Sequence, residues 1–440
     1  MASHQAIVAK ITEVIEIPGA DRVQISVVLG EHCVTSKEWC VGDAGVLFPV
    51  DLQLSEEFCH QNNLNRDKSK NKDQEKAGFF DANRRVRAQP FLKVKSTGLF
   101  MPMSSLEGFC TQEDVQKLTV GTQFDSLNGK KICQKYISEK TRNAIGNNGT
   151  KAKKKTLVPD FKEHIDTENF KYSINKIKKG DVIYFHSKRH GTSLRSARTK
   201  VYKDKSDVVS KLKQTINKIT KRDLFEIEQE WNWEYVTGSR RVILDAEKVG
   251  DGWHGNNSYR FEVTDVLKPY LEDSYCAYGE IVGFVNGSPI MGKHNVKDLK
   301  DKRYIEKYGD TITYKYKCKE HQYKFHIYRI TYMDVNGNTR DMSQKELEKF
   351  CKDRDIPCTL EVHPPIVYDG DEEKLRTLVE SLTERPEVLT EDFEDSSMIS
   401  EGIILRIENG NTTPLFLKSK SYPFLCMESI IEAVDPEDAS

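Results

Sequence analysis

Lys188 follows shortly after the apolar run DVIYF, within the stretch SKRHGTSLR. A lysine at the lip of a buried strand is poorly placed for solvation alone. It suits a spot that something anionic or electrophilic approaches. Further along the chain, polar residues interrupt apolar strands in the same way. Arg240 sits in TGSRR before VIL, Glu280 between AYG and IVGF, Glu401 before GIILR, and Lys418 and Lys420 in FLKSKSY. Side chains two apart on a strand face one way, so Lys418 and Lys420 point together. Gathered in one pocket, these positions supply several cationic heads and two carboxylates. The cations repel one another unless an anion or carboxylates lie between them. A nucleotide phosphate with a divalent metal ion meets that requirement. A neighbouring cation also lowers a lysine's pKa, and a deprotonated lysine is a nucleophile able to attack phosphorus. Taken singly, each residue also fits a solvated strand edge, and Arg240 with Glu280 fits a structural ion pair.

The elements that must position this set divide the chain in two. Residues 4–57 alternate short apolar runs with turns (HQAIVAKITEVIEI, DRVQISVVL, EHCVTSK, AGVLFPVDLQL), which predicts a small barrel or compact sheet. Residues 62–78 carry almost no apolar side chains and read as a solvated loop, open to disorder. RRVRAQPFLKVKSTGLFMPMSSL resumes order, with Gly98 expected at a turn. The expected division is a barrel over 1–140, a basic flexible linker over 141–159 and a second domain over 160–440. In the second domain, 200–230 reads as a partly helical insertion with a basic face. VTGSRRVIL, AYGEIVGFV, YKFHIYRITYM, GIILRIEN and PLFLKSKSY read as strands. Helices are expected in DMSQKELEKFCKDR, with Ser343 as cap and Glu346 in the capping-box position, in EEKLRTLVESL, and in the tail FLCMESIIEAV. Mixed, largely antiparallel strands with peripheral helices define an α+β domain rather than a doubly wound one.

Bulk properties narrow the function classes. The 440 residues carry 67 basic and 68 acidic side chains, so any attraction for nucleic acid is local rather than global. Mean hydropathy is -0.62 and no apolar run approaches 18 residues, which predicts no transmembrane span. The N-terminus lacks the pattern of a secretory signal. None of the ten cysteines falls in a Cys-x-x-Cys pair, as expected of reduced thiols in an intracellular protein. Neither a G-x-G-x-x-G after an early strand nor a GxxxxGK[ST] occurs, which removes the two commonest nucleotide folds.

The ordered motifs resemble those of the covalent nucleotidyltransferases, the polynucleotide ligases and messenger-RNA capping enzymes. Lys188-Arg189-His190-Gly191 resembles their Lys-x-Asp-Gly nucleophile motif, with His190 in place of the aspartate, and Thr192 continues it. Ser239–Arg241, Tyr278–Gly283, Phe325–Ile330, Glu401–Arg406 and Leu417–Lys420 resemble the later motifs in order. The finer resemblance, over about 160–425, is to ATP-dependent RNA ligases of the Deinococcus and Naegleria type. These join an N-terminal OB barrel to a nucleotidyltransferase domain. HIDTENF, Trp233 to Tyr235, YGEIVGF and YRIT carry it. GADRVQ and VKSTGLFMP resemble transfer-RNA-binding OB modules.

That resemblance implies ATP as cofactor, with Mg²⁺ or Mn²⁺. Lys188 would carry the adenylate. Glu401 is the expected metal-associated carboxylate, and Glu280 would hold ribose or support the metal shell. Lys418 and Lys420 would grip the α-phosphate, and Lys420 would also help deprotonate Lys188. Arg240 is expected at ribose or the incoming 5′-phosphate, Phe325 on adenine, His190 on phosphate or metal-bound water, and Gly191 at a tight approach of the turn. Arg195 and Arg198 are candidates for RNA phosphates. The implied partners are RNA 3′-hydroxyl and 5′-phosphate ends, with a nicked duplex or broken transfer RNA as candidate substrates, sealed by a monomer away from membranes. The alternatives are a DNA ligase, a capping-type enzyme, and a non-catalytic RNA-binding protein.

Overall fold

Strand β1 (Ala6–Glu16) is long enough to serve two neighbours. Its residues 7–10 pair with β4 (Ala44–Pro49), and residues 11–16 pair with β2 (Val23–Val28). A register shift between Ile11 and Glu13 bends it from one partner to the other, as a bulge does at a barrel corner. β3 (Glu31–Ser36) continues from β2, and β5 (Gly98–Pro102) joins β3 in parallel and β4 antiparallel. The order β1-β2-β3-β5-β4-β1 closes a five-stranded, OB-like barrel. Gly98 is the first residue of β5 rather than a turn. The barrel is filled by Val8, Val46, Phe48, Leu54 and Phe58, the last from the short helix α1 (Glu56–Gln61).

The computed structural model describes residues 5–50, 52–92, 94–137, 158–205, 207–220, 224–246, 258–299, 301–384 and 398–428. The basic linker expected at 141–159 lies outside these except for 158–159, and the expected helical tail lies outside beyond 428.

Residues 62–78 are ordered, against the sequence expectation. Asn65 and Asn71 are buried and exchange bonds: Asn71 Oδ1 accepts from Asn65 N at 3.0 Å, and Asn71 Nδ2 donates to the oxygens of Asn65 and Lys76 at 2.8 and 2.7 Å. Asparagine side chains can replace a sheet ladder in satisfying loop backbone, so low apolar content here marks internal bonding.

The second domain holds two sheets. The first has the order β6 (Glu168–Asn169), β15 (Leu415–Lys420), β14 (Gly402–Glu408), β7 (Val182–Ser187), β13 (Glu361–Val367). The second has the order β9 (Gln229–Gly238), β8 (Thr192–Asp204), β10 (Cys276–Val285), β11 (Tyr323–Met333), β12 (Thr339–Asp341). All neighbours in both sheets are antiparallel except β6 and β15. This is the expected α+β architecture.

Helices close the outer faces. Leu375, Val379 and Leu382 of α5 (Glu372–Thr383) pack on Ile183, Phe185, Leu405 and Leu417 of the first sheet. Tyr259 and Val263 of α3 (Ser258–Leu267), with Leu347 and Phe350 of α4 (Gln344–Lys352), pack on Leu194, Ala277 and Ile281 of the second. The expected capping box starts α4: Glu346 N donates to Ser343 Oγ, and Ser343 N donates to Glu346 Oε2. Such a cap is worth about 1 kcal/mol. The insertion is helix α2 (Val208–Thr220) set on a ribbon formed by the ends of β8 and β9. The expected strand VTGSRRVIL is cut short, because β9 ends at Gly238 and Ser239–Arg241 form the bend that follows.

The barrel is tied to the second domain through buried charge. Glu31 accepts from Lys171 Nζ at 2.9 Å and from Tyr172 OH at 2.5 Å. Burial alone would raise this carboxyl, but Lys171 and hydrogen bonds from Thr97 and Tyr172 outweigh it and hold the pKa below the usual value. No helix among the described residues is long and apolar enough to cross a membrane.

Candidate active site

Lys188 leaves β7 beside the start of β14. Its backbone N–H donates to Gly402 O at 2.9 Å, and its Nζ stands 2.8 Å from Glu401 Oε1. Gly402 has φ +134°, and a Cβ there would lie 2.1 Å from Ser419 O. Only glycine fits, and β15 therefore lies tight against the Lys188 turn. In β15, Lys420 pairs with Gly402 and Lys418 with Ile404, so both lysines share the face turned toward the second sheet.

That second sheet supplies Glu280, which pairs with Ser193 on one side and His326 on the other. Gly191 lies so close to β10 that a Cβ would meet Ile281 O at 2.3 Å. The Lys188–Gly191 turn is thereby pressed against the strand that carries Glu280. Arg240, in the bend after β9, donates to Asp166 Oδ1 at 2.8 Å, and Arg241 lies 3.8 Å from the same atom.

The charges of this cleft are unequal in their freedom. Burial raises the pKa of Glu401 above the usual value, although Lys188 and Lys420 pull it back. Burial, then the charges of Lys420 and Lys188, push Lys418 down to about 7. Lys420 is clamped by both oxygens of Glu428, at 2.7 and 2.6 Å. Glu428 ends α6 (Tyr422–Glu428), and its carbonyl accepts from barrel residue Arg85 at 3.3 Å. Lys418 is thus driven toward neutrality.

His190 is buried among aromatic rings, edge-on to Tyr314 and Phe424 at 4.9 and 5.0 Å. Its Nε2 lies 3.2 Å from His294 Nε2, and Tyr316 OH accepts from its backbone N–H at 2.6 Å. Burial, His294 and Lys188 hold its pKa well below 6.5, so the ring is neutral and fixes the turn. Its Nδ1 lies 3.8 Å from Glu401 Oε2, a buried atom that has no hydrogen-bond partner among the described residues.

Three expected contacts are not where sequence put them. Phe325 pairs with Ile281 and belongs to the apolar cluster under α3 and α4, on the opposite face from Glu280. His326, one residue on, shares the Glu280 face, with both ring nitrogens buried. Arg195 is 1% exposed and donates to the carbonyls of Ser239 and Phe161, so it braces the fold and does not reach for RNA phosphates. Arg198 is held by Asp273 at 2.7 Å on the outer face.

Sequence reading also missed partners. Tyr328, at a register shift in β11, bonds His164; burial, and then the charge of Glu280, raises its pKa well above the usual value. His164 and Asp166 lie in HIDTENF and His326 and Tyr328 in Phe325–Ile330, stretches quoted for the resemblance without a role read for these four residues; nothing in the sequence singled out Glu428.

Lys188, Glu401, Lys418 and Lys420 thus lie on or at the ends of strands of one sheet, and Glu280 lies on the other, its side chain against Gly191 of the Lys188 turn. A barrel followed by such a two-sheet domain defines the class: an OB-like module joined to a nucleotidyltransferase-type fold. The same fold is seen in the RNA ligase of Naegleria gruberi. An apo variant of that enzyme is 17% identical with TM-score 0.56, covering 97% of this chain and 98% of that one. A variant with ATP and manganese (17% identity, TM-score 0.55) and the enzyme with pyrophosphate (17%, 0.54) each cover 96% of this chain and 98% of theirs. No family model and no curated protein matches the sequence.

Proposed function

We propose that this protein is an ATP-dependent RNA ligase acting through a lysyl-adenylate. The observation that carries the reading is the pairing of Lys188 Nζ with the buried carboxylate of Glu401, 2.8 Å apart, beneath Lys418 and Lys420. The solved relatives of this fold, captured as an RNA ligase with ATP and manganese, support it.

In the first step neutral Lys188 Nζ attacks the α-phosphorus of ATP. A P–N bond forms, the α–β bridging P–O bond breaks, and pyrophosphate leaves. Lys418 and Lys420 stabilise charge that grows on the α-phosphate, where fixed cations act most strongly. In the second step an oxygen of an RNA 5′-phosphate displaces Lys188 and forms a 5′–5′ pyrophosphate. In the third an RNA 3′-hydroxyl attacks that phosphate, loses its proton, and AMP departs. Arg240, oriented by Asp166, borders ribose or the 5′-phosphate. His326 takes the place beside adenine that sequence assigned to Phe325.

The donor set suits a hard cation held through water. Among the described residues no group of three or more His, Cys, Asp or Glu side chains forms a metal cage. Mg²⁺ is typically bound by one or two carboxylates with substrate phosphates and waters, and the orphaned Oε2 of Glu401 fits that use, with Glu280 across the cleft. Mg²⁺ or Mn²⁺ there supplies charge neutralisation and orients phosphates.

The test is incubation with α-labelled ATP or GTP and a divalent metal ion, followed by denaturing electrophoresis and a sealing assay. Label from ATP retained on the protein, and an RNA rather than DNA 3′-hydroxyl requirement at a nick, are expected. Covalent label on a Lys188→Ala variant, or preference for GTP, rejects the reading.

A further inference from the structure

The ribbon of β8 and β9 carries a surface that the nucleotide cleft does not use. Directly paired residues of antiparallel strands project to the same side. Arg198 pairs with Tyr235, Lys200 with Trp233, and Tyr202 with Trp231. One face of the ribbon is therefore made of Arg198, Lys200, Tyr202, Trp231, Trp233 and Tyr235. These six hold four aromatic rings and two cations; Arg198 is paired with Asp273, and the next pair along the same face is Asp204 with Gln229. The acidic residues Glu230 and Glu234 alternate to the opposite face, where Glu234 pairs with Lys203.

These rings are unusually open. Trp231 is 45% exposed and Tyr235 37%. Trp231 and Trp233 meet edge to face with centroids 6.1 Å apart. The Lys200 ammonium lies over both, at 4.5 and 5.7 Å from the ring centroids, and has no carboxylate partner among the described residues. Arg198 and Lys268 lie over Tyr235 at 5.6 and 5.5 Å. The face is the outer one of its sheet, since Arg198 continues the side on which Ser196 bonds Thr264 of α3.

We infer that this face is a stacking platform for single-stranded RNA, holding the body of the strand rather than its reacting end. The inference rests on the RNA-ligase reading above. Exposed rings interleaved with cations are what unpaired bases and their phosphates recognise together. Protein interfaces also favour Trp, Tyr and Arg; the Lys200 ammonium set over two indoles without a carboxylate partner among the described residues is what favours a polyanion with stacking bases. The position agrees with a role away from the chemistry. Lys200 is eight residues along β8 from Thr192, about 26 Å at the usual strand rise. A bound strand therefore passes round the sheet edge formed by β9 to reach Lys188, and very short oligonucleotides would not span both sites.

The test uses the full chain, a fluorescent single-stranded RNA of about 20 nucleotides and a Trp231→Ala/Trp233→Ala variant. Tryptophan fluorescence of the wild type should be quenched by RNA. Affinity of the double variant should fall about 10- to 100-fold, the loss expected when base–aromatic stacking is removed, while lysyl-AMP formation stays unchanged. Trp231→Phe/Trp233→Phe should retain most of the affinity, and Lys200→Gln should flatten the salt dependence of binding. Should the alanine variant fail to adenylylate through misfolding, the phenylalanine and glutamine variants decide. RNA affinity unchanged by the alanine pair, or wild-type tryptophans not quenched, overturns the proposal and leaves the face to a protein partner. Absence of lysyl-AMP in the wild type rejects the ligase reading instead, because the binding measurement does not depend on it.

Discussion

Lys188 Nζ and Glu401 Oε1 lie 2.8 Å apart, and only 3% of the Glu401 side chain is exposed. On the proposed reading, Lys188 would have to leave this carboxylate before its Nζ could attack phosphorus.

Lys188→Ala and Lys188→Arg should both abolish covalent AMP uptake, by about 10³-fold or more. Arginine stays protonated in proteins, so it restores the charge opposite Glu401 but not the nucleophile. The two variants should differ in stability. Removing one partner of a buried pair costs about 3–5 kcal/mol, and Lys188 is partly exposed, so the alanine loss should fall below that range. Urea denaturation of both, beside the labelled-ATP gel, checks the split.

Lys418 gives the protein a pH dependence of known sign. Lysine titrates near 10.4 when unfolded and near 7 here. Between these values the unfolded chain holds the extra proton, so stability rises with pH. The contribution is fully present above about 10.4 and is lost as pH falls through 7. Lys418→Met should therefore gain most over the wild type at pH near 6, by at most about 5 kcal/mol at 1.36 per unit. Denaturation midpoints at pH 6 and 9 test this.

The same lysine should couple ATP affinity to pH. Bound phosphate favours the charged form of Lys418, so binding takes up a proton above pH 7 and affinity should fall by up to tenfold per unit there. Glu428 acts to raise Lys418. Glu428→Gln should move the onset of that fall to lower pH. Calorimetric titrations in buffers of different ionisation enthalpy would detect the proton, and an affinity independent of pH contradicts the assignment.

Phe325 and His326 should part company on mutation. Phe325→Leu disturbs the cluster beneath α3 and α4 and should cost about 1–1.5 kcal/mol with little change in ATP affinity. His326→Ala should weaken ATP severalfold with a smaller stability change. Weaker ATP binding in the Phe325 variant alone would place adenine on the other face of the sheet.

Gly402→Ala should be among the most damaging single-methyl changes. The φ of +134° and the 2.1 Å approach to Ser419 O leave no relaxed position for a Cβ. The expected loss is about 1–3 kcal/mol from backbone strain, with a larger fall in adenylylation because Lys188 N bonds Gly402 O. Melting temperature and initial rate of AMP uptake separate the two effects.

The sequence by itself determined the linear facts. Apolar alternation marked most strands, Ser343 and Glu346 marked the start of α4, and residue types at 188, 280, 401, 418 and 420 suggested phosphate chemistry as the proposal. Period-two alternation and capping depend on neighbours in sequence, so they are legible there. Tertiary structure decided what depends on register between distant strands. Pairing of β10 with β11 turned Phe325 into core and His326 toward the cleft, since a shift of one residue exchanges the faces of a strand. Burial made Arg195 a brace, and asparagine bonding made residues 62–78 an ordered loop. Folding also brought Glu428 onto Lys420, leaving Lys418 as the lysine driven toward neutrality, because desolvation and Coulomb interaction act through space and not along the chain.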